Sequence, residues 1–231
     1  MSRAAFIIFY ILAILNCSCN NSQDVTIKYV DNDPLYFDYK IWGQEDRDYI
    51  TVMLQYRAGS AYGETRLLKE PSKTELDSIR LWPDSSKMSG FFYELEQPLD
   101  SFAGRHVITF TDSSGKPYRE TFEFNPFTLE TAIPAVVSRT GLVLQLAGLR
   151  QQELIRIIAL DTAFKSKGIN DVDTIINGRV TIGRDRLKYL VNGRIHLELY
   201  KEEEWPLKNS SSGGGSLSIS YGLKREFELV D

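Results

Sequence analysis

At 231 residues the chain is long enough for two domains of ordinary size, and its 42% hydrophobic, 12% aromatic and 25% charged residues are globular usage. This composition excludes a disordered or fibrous chain. A formal net charge of −4, with no basic stripe in the sequence, excludes nucleic acid as a partner.

The N-terminus reads as a leader. Arg3 precedes an unbroken apolar run, Ala4–Leu15, which is followed by Asn16-Cys17-Ser18-Cys19 and a polar stretch, Asn20–Asp24. The run is short for a bilayer span, which takes ~20 apolar residues, and has the layout of a cleaved signal peptide. Cys17 and Cys19 are the only cysteines, so neither a disulfide framework nor a cysteine zinc site is available to the body. The segment resembles a bacterial lipobox, in which an apolar residue and two small residues precede a cysteine that is lipidated. Cys17 has Ile14 at the apolar position but Asn16 before it, whereas Cys19 has Ser18 before it but Asn16 at the apolar position. Both are lipidation candidates, with Cys17 preferred. The organisation expected is a signal peptide at 1–16, a lipidated tether at 17–24, and two domains at 25–128 and 129–231. The membrane is then a partner through the lipid anchor, and the address is the cell envelope at the outer membrane.

The body alternates short β-rich runs with turn residues. Leu35–Trp42, Tyr49–Arg57, Leu76–Trp82, Gly90–Gln97, Arg105–Thr111 and Tyr118–Phe124 read as strands. Asp112–Pro117, with Gly115, reads as a hairpin turn. In the second half, Leu142–Leu146 and Ile195–Tyr200 show period two, with Ile195, Leu197 and Leu199 inward and His196, Glu198 and Tyr200 outward. Leu154–Leu160 fits a central strand by its β-branched content, Asp185–Leu190 a short helical turn, and Glu202–Gly215 a mobile loop. A weak repeat relates the two halves. Gly104-Arg105 opens a strand whose partner ends Arg119–Phe124, and Gly193-Arg194 opens one whose partner ends Arg225–Leu229. The expected fold is all-β: two immunoglobulin-like antiparallel β-sandwich domains in tandem, with a short helical turn in the second.

With Trp205-Pro206-Leu207-Lys208, Gly213-Gly214-Gly215 and Ile219-Ser220-Tyr221 near its end, the chain resembles the tandem immunoglobulin-like lipoproteins of Bacteroidota. The resemblance is architectural, over residues 25–231. It implies a fold and an address, and it carries no active-site residues.

No catalytic constellation stands out. There are two histidines: His106 shares strand parity with Ile108 and Phe110 and reads as partly buried and structural, and His196 reads as a surface residue. No Gly-x-Ser-x-Gly elbow, phosphate-cradling Gly-rich loop or Cys–His pair occurs in the body. The acids scatter along alternating strands, where they keep outer faces wet. Asp31-Asn32-Asp33 and Glu45-Asp46-Arg47-Asp48 are oxygen-rich but lack the spacing of a calcium loop, so neither a metal nor a cofactor is expected. Asp77-Ser78-Ile79, Asp161-Thr162-Ala163 and Asp173-Thr174-Ile175 resemble the Asp-Ser/Thr-apolar O-glycosylation site of Bacteroidota.

The aromatic residues carry more information. Tyr36, Tyr39, Trp42, Tyr49, Tyr56 and Tyr62 cluster in the first half, and Trp205 sits in the second. Of these, Trp42, Tyr49, Tyr62 and Trp205 are the binding candidates, because aromatic rings with a polar edge suit sugars and protein partners. The expected function is a non-catalytic binding or assembly module for a glycan or an envelope protein. The alternatives are a secreted carboxylate-dependent hydrolase with an interdomain cleft, and a structural spacer.

Overall fold

The computed structural model describes residues 34–231. The leader, Cys17, Cys19, the tether and the Asp31–Asp33 loop lie outside the described residues. The strands in chain order are β1 (Leu35–Gln44), β2 (Tyr49–Ala58), β3 (Lys73–Leu76), β4 (Ile79–Arg80), β5 (Pro83–Ser86), β6 (Gly90–Pro98), β7 (Gly104–Thr111) and β8 (Pro117–Phe124). They continue as β9 (Thr128–Leu129), β10 (Val136–Ser138), β11 (Gly141–Ala147), β12 (Leu154–Asp161), β13 (Ile169–Thr174), β14 (Arg179–Gly183), β15 (Gly193–Pro206) and β16 (Gly215–Val230). Two single-turn helices, α1 (Leu99–Phe102) and α2 (Arg184–Leu187), interrupt them. Among the described residues no helix is long and apolar enough to cross a membrane.

The fold is all-β, with two sandwiches in succession. In the first half, β1 alternates so that Leu35, Phe37, Tyr39 and Ile41 are buried, and its register with β2 sets Phe37 opposite Tyr56 and Tyr39 opposite Leu54 on the same face. The four-stranded sheet β4-β3-β7-β8 covers that face. Phe110 of β7 meets Phe37 at 5.0 Å and Tyr56 at 4.9 Å between ring centroids, and the Tyr56 hydroxyl donates to Thr74 Oγ1 of β3 at 2.7 Å. In the second half the sheet β14-β11-β9 brings Leu142, Leu144, Leu146, Val180 and Ile182 into the core. The facing strands β12 and β15 contribute Ile155, Ile157, Ile195, Leu197 and Leu199. Each fully buried aliphatic or aromatic side chain contributes ~1.5–3 kcal/mol, and the buried residues of both halves form one contiguous cluster.

The halves meet along a shared strand pair. β1 runs parallel to β16, from Phe37 opposite Gly215 to Gln44 opposite Gly222, so a nine-stranded sheet in the order β13-β12-β15-β16-β1-β2-β6-β5, with β10 also on β16, crosses the whole molecule. The two sandwiches are therefore joined edge to edge. The ladders are antiparallel apart from β1–β16 and β10–β16. Residues 128 and 129, at the passage from the first half to the second, form β9 and pair with β11.

Two local expectations are corrected. Glu202–Pro206 is not loop but the end of β15, in register with Ser216–Ser220 of β16; the turn is confined to Leu207–Gly214. Its acidic run is the outer face of a long strand, with Glu202 and Glu204 exposed while Lys201 and Trp205 point inward. The Leu76–Trp82 run is not one strand but a hairpin, β3 to β4, turning at Asp77 and Ser78 with φ of 49° and 71°. That turn requires positive φ at both central positions, which non-glycine residues adopt only with support. Asp77 supplies it: its carboxylate accepts the Val107 N–H at 2.8 Å and meets His106 Nδ1 at 2.7 Å.

The repeat is visible in the register. Gly104 faces Phe124 across β7–β8 and Gly193 faces Leu229 across β15–β16, and two residues further on His106 and Ile195 face Phe122 and Phe227.

Candidate functional site

The outer face of the nine-stranded sheet is built from the other parity of the same strands. On β1 it presents Tyr36, Asp38, Lys40, Trp42 and Gln44, and on β16 it presents Ser216, Ser218, Ser220 and Gly222. The small residues of β16 leave room for their neighbours' rings. A Cβ on Gly222 would lie 2.4 Å from Tyr200 Cε1, so the Tyr200 ring occupies the space that a side chain there would fill. Gln44 Nε2 then donates to the Tyr200 hydroxyl at 3.3 Å, and that hydroxyl donates to Glu198 at 2.8 Å. Burial, with Glu198 beside it, pushes the Tyr200 phenol up to about 12, so it stays neutral and serves as a donor.

Beside this pair, the β1–β2 turn forms an open recess of about 180 Å³ lined by Trp42, Gly43, Gln44, Arg47, Tyr49 and Thr51. Trp42 is 36% exposed, and Arg47 donates to the Tyr49 hydroxyl at 3.1 Å with its guanidinium 5.9 Å from the ring centre. Trp42, Tyr49 and Tyr200 thus surround Gln44 as apolar faces with polar tips, on a strand framework that holds them without loop rearrangement.

Of the four binding candidates, the structure brings Trp42 and Tyr49 together. Tyr62 stands apart, 98% exposed on the loop after β2. Trp205 faces the other way: opposite Leu217, it shares the inward face, packs on the core and lines a separate cleft between the halves. Tyr39 and Tyr56 are core residues. Tyr200 and Gln44 were not singled out from the sequence. Period two in Ile195–Tyr200 shows that Tyr200 points outward, but its neighbours depend on the β15–β16–β1 ladder.

The remaining candidates hold other positions. His106 is buried, stacked 4.0 Å from Phe102, with Nδ1 on Asp77 and Nε2 on the Phe102 carbonyl at 2.6 Å. His196 sits on the outer face, paired with Glu226 at 2.8 Å. Neither histidine lines the cleft between the halves, where Glu120, Glu123 and Glu203 gather. Glu45 of the β1–β2 turn is paired with Arg225. Among the described residues, no three His, Cys, Asp or Glu side chains are grouped so as to hold a metal ion. Ser78 and Thr162 are exposed and Thr174 is half-buried.

No protein-family model matches the chain. No curated protein matches it either. Among solved structures it is similar to the IG1+IG2 crystal structure of DIP-gamma, with 10% identity over 87% of this chain and 100% of that one and a TM-score of 0.26. It is also similar to fibronectin(III)-like modules of Clostridium thermocellum CbhA, with 9% identity over 86% and 93% and a TM-score of 0.22. A bacterial ice-binding adhesin is matched at 9% identity over 86% and 65%, with a TM-score of 0.24. TM-scores this low carry no weight for the fold, which rests on the strand ladders, or for function.

Proposed function

We propose that this chain is a lipid-anchored cell-envelope protein acting as a non-catalytic binding or assembly module, which presents the Trp42–Tyr49–Tyr200 face of its long sheet to a glycan or protein partner. One observation carries the reading: a wide sheet face places two large aromatic side chains and a guanidinium around an open recess, on rigid strands. Interface energy concentrates in such aromatic and arginine anchors, each costing about 2 kcal/mol or more when truncated. The address rests on the leader, with Cys17 or Cys19 carrying the acyl chains and the outer membrane as the site of anchoring.

The test begins with glycan arrays and pull-downs from envelope extracts using the wild-type chain. Trp42→Ala/Tyr49→Ala is expected to weaken the captured partner by about 30-fold or more, the factor equivalent to one such anchor, while leaving the melting temperature within about 2 °C. Capture that persists unchanged in the double variant, or arrays and pull-downs that return nothing specific, would overturn the reading. Labelled fatty acid should attach to the wild-type chain and be lost on Cys17→Ala/Cys19→Ala; an unlabelled wild type refutes the address alone.

A further inference from the structure

The cleft between the halves contains a carboxylate that the fold leaves half-satisfied. Glu120 sits on β8 with the inward parity of Phe122 and Phe124 and is only 4% exposed. A charge in such a position needs compensating partners, because its desolvation costs several kcal/mol. One oxygen has a partner: Oε2 accepts the Lys208 backbone N–H at 3.1 Å. Among the described residues the other oxygen has none. No fully enclosed polar side-chain atom among the described residues lacks a partner, so this oxygen is not fully enclosed, and Glu120 is one of the residues that line the cleft.

The surroundings indicate what would complete it. Trp205 packs on the core and turns its remaining surface into the cleft, whose volume is about 390 Å³, within the ~300–1,000 Å³ of small-molecule sites. Three carboxylates, Glu120, Glu123 and Glu203, are balanced by Arg105, Arg150 and Lys208, so net charge selects neither an anion nor a cation. Donors and acceptors instead alternate around an aromatic wall, and Asn125 adds an amide with both capacities. The loop after β15 holds the two sides together, with Lys208 on Glu120 and Asn209 Nδ2 donating to the Arg119 carbonyl at 3.1 Å.

We propose that this cleft binds a neutral saccharide, one ring face against Trp205 and a ring hydroxyl donating to the free oxygen of Glu120. A saccharide ring offers what the cleft asks for: an apolar C–H face and hydroxyls that both donate and accept. Trp205 and Trp42 lie on opposite faces of the sheet, so this proposal and the reading of the open face fail independently.

The test uses the detergent-solubilised full chain carrying Trp42→Phe and Trp82→Phe, which leaves Trp205 as the sole tryptophan and removes the open-face anchor. Cellohexaose, xylohexaose, maltohexaose, mannohexaose and chitohexaose are titrated while Trp205 emission is followed. At least one should give a saturable shift. Glu120→Gln, which replaces the free acceptor, should weaken it tenfold or more, the factor for one hydrogen bond to a charged group. The titration stands without that variant should it fail to fold. Silence of Trp205 toward all five sugars, or unchanged affinity in a folded Glu120→Gln protein, overturns the proposal.

Discussion

The seam between the halves can be perturbed at Gly213. A Cβ built there lies 2.5 Å from the Leu35 carbonyl oxygen, 2.6 Å from the Leu35 carbonyl carbon and 2.9 Å from the Tyr36 nitrogen, all backbone atoms that cannot rotate away. Gly213→Ala therefore forces the start of β1 and the turn after β15 apart. Such overpacking costs about 1–3 kcal/mol. The displaced segment is also where Ser211 Oγ accepts the Leu35 N–H at 2.9 Å and where the Phe37 N–H reaches the Gly214 carbonyl at 3.1 Å, and each bond lost adds about 1 kcal/mol. With one of the two lost, the total is roughly 2–4 kcal/mol. At about 2–4 °C per kcal/mol for a body of this size, the melting temperature should fall by roughly 5–15 °C. Gly59→Ala is the control: no atom lies within 4 Å of its Cβ, but φ is +69°, so it reads backbone strain alone, about 1–2 kcal/mol. In the Trp42→Phe/Trp82→Phe background, thermal unfolding followed by far-ultraviolet circular dichroism and by Trp205 emission should shift together, because one sheet runs through both halves. A Gly213→Ala melting temperature within about 2 °C of wild type would refute the steric argument. A Trp205 transition left in place while the rest melts early would refute the coupling of the halves.

Alkaline pH should destabilise the fold through its tyrosines. Burial raises the Tyr39 and Tyr56 phenols and pushes those of Tyr93, Tyr200 and Tyr221 up to about 12. Below about pH 10 both folded and unfolded states keep these protons; above it the unfolded chain loses them first, so stability falls as pH rises from about 10 through 12. A urea midpoint that stays flat across that window would contradict this. At the acid end, the Ser166 hydroxyl and then the Lys165 and Ser166 N–H groups hold the Asp161 carboxyl at about 2. Its contribution is fully present above the ordinary value of about 4 and is lost as pH falls through about 2. Asp161→Asn should accelerate hydrogen exchange at Lys165 and Ser166, and unchanged protection there would rule out the carboxylate as the clamp of this turn.

The outward direction of Tyr200 was legible because alternation along Ile195–Tyr200 is a local property of an extended chain, and the buried character of His106 followed from its parity with Ile108 and Phe110. Glu202–Pro206 was misread for the converse reason. Its polar composition resembles a loop, and only the facing run Ser216–Ser220 shows that it is half of a ladder. Asp77 and Ser78 deceived in the other direction: strand-like neighbours on both sides concealed a turn held in place by contacts from β7.

The sequence by itself determined the β class and the faces of individual strands, because each depends on residue types at short spacing. The tertiary structure decided that Trp42 and Tyr49 meet Tyr200 on one side of the sheet, while Trp205 joins Glu120 on the other. Those neighbours come from the parallel pairing of β1 with β16, the first described strand and the last.

 The first described strand, β1, thus lies beside the last although nearly the whole body separates them in sequence. A parallel pairing of that kind needs a long crossover, and no local pattern encodes which distant edge a strand will join.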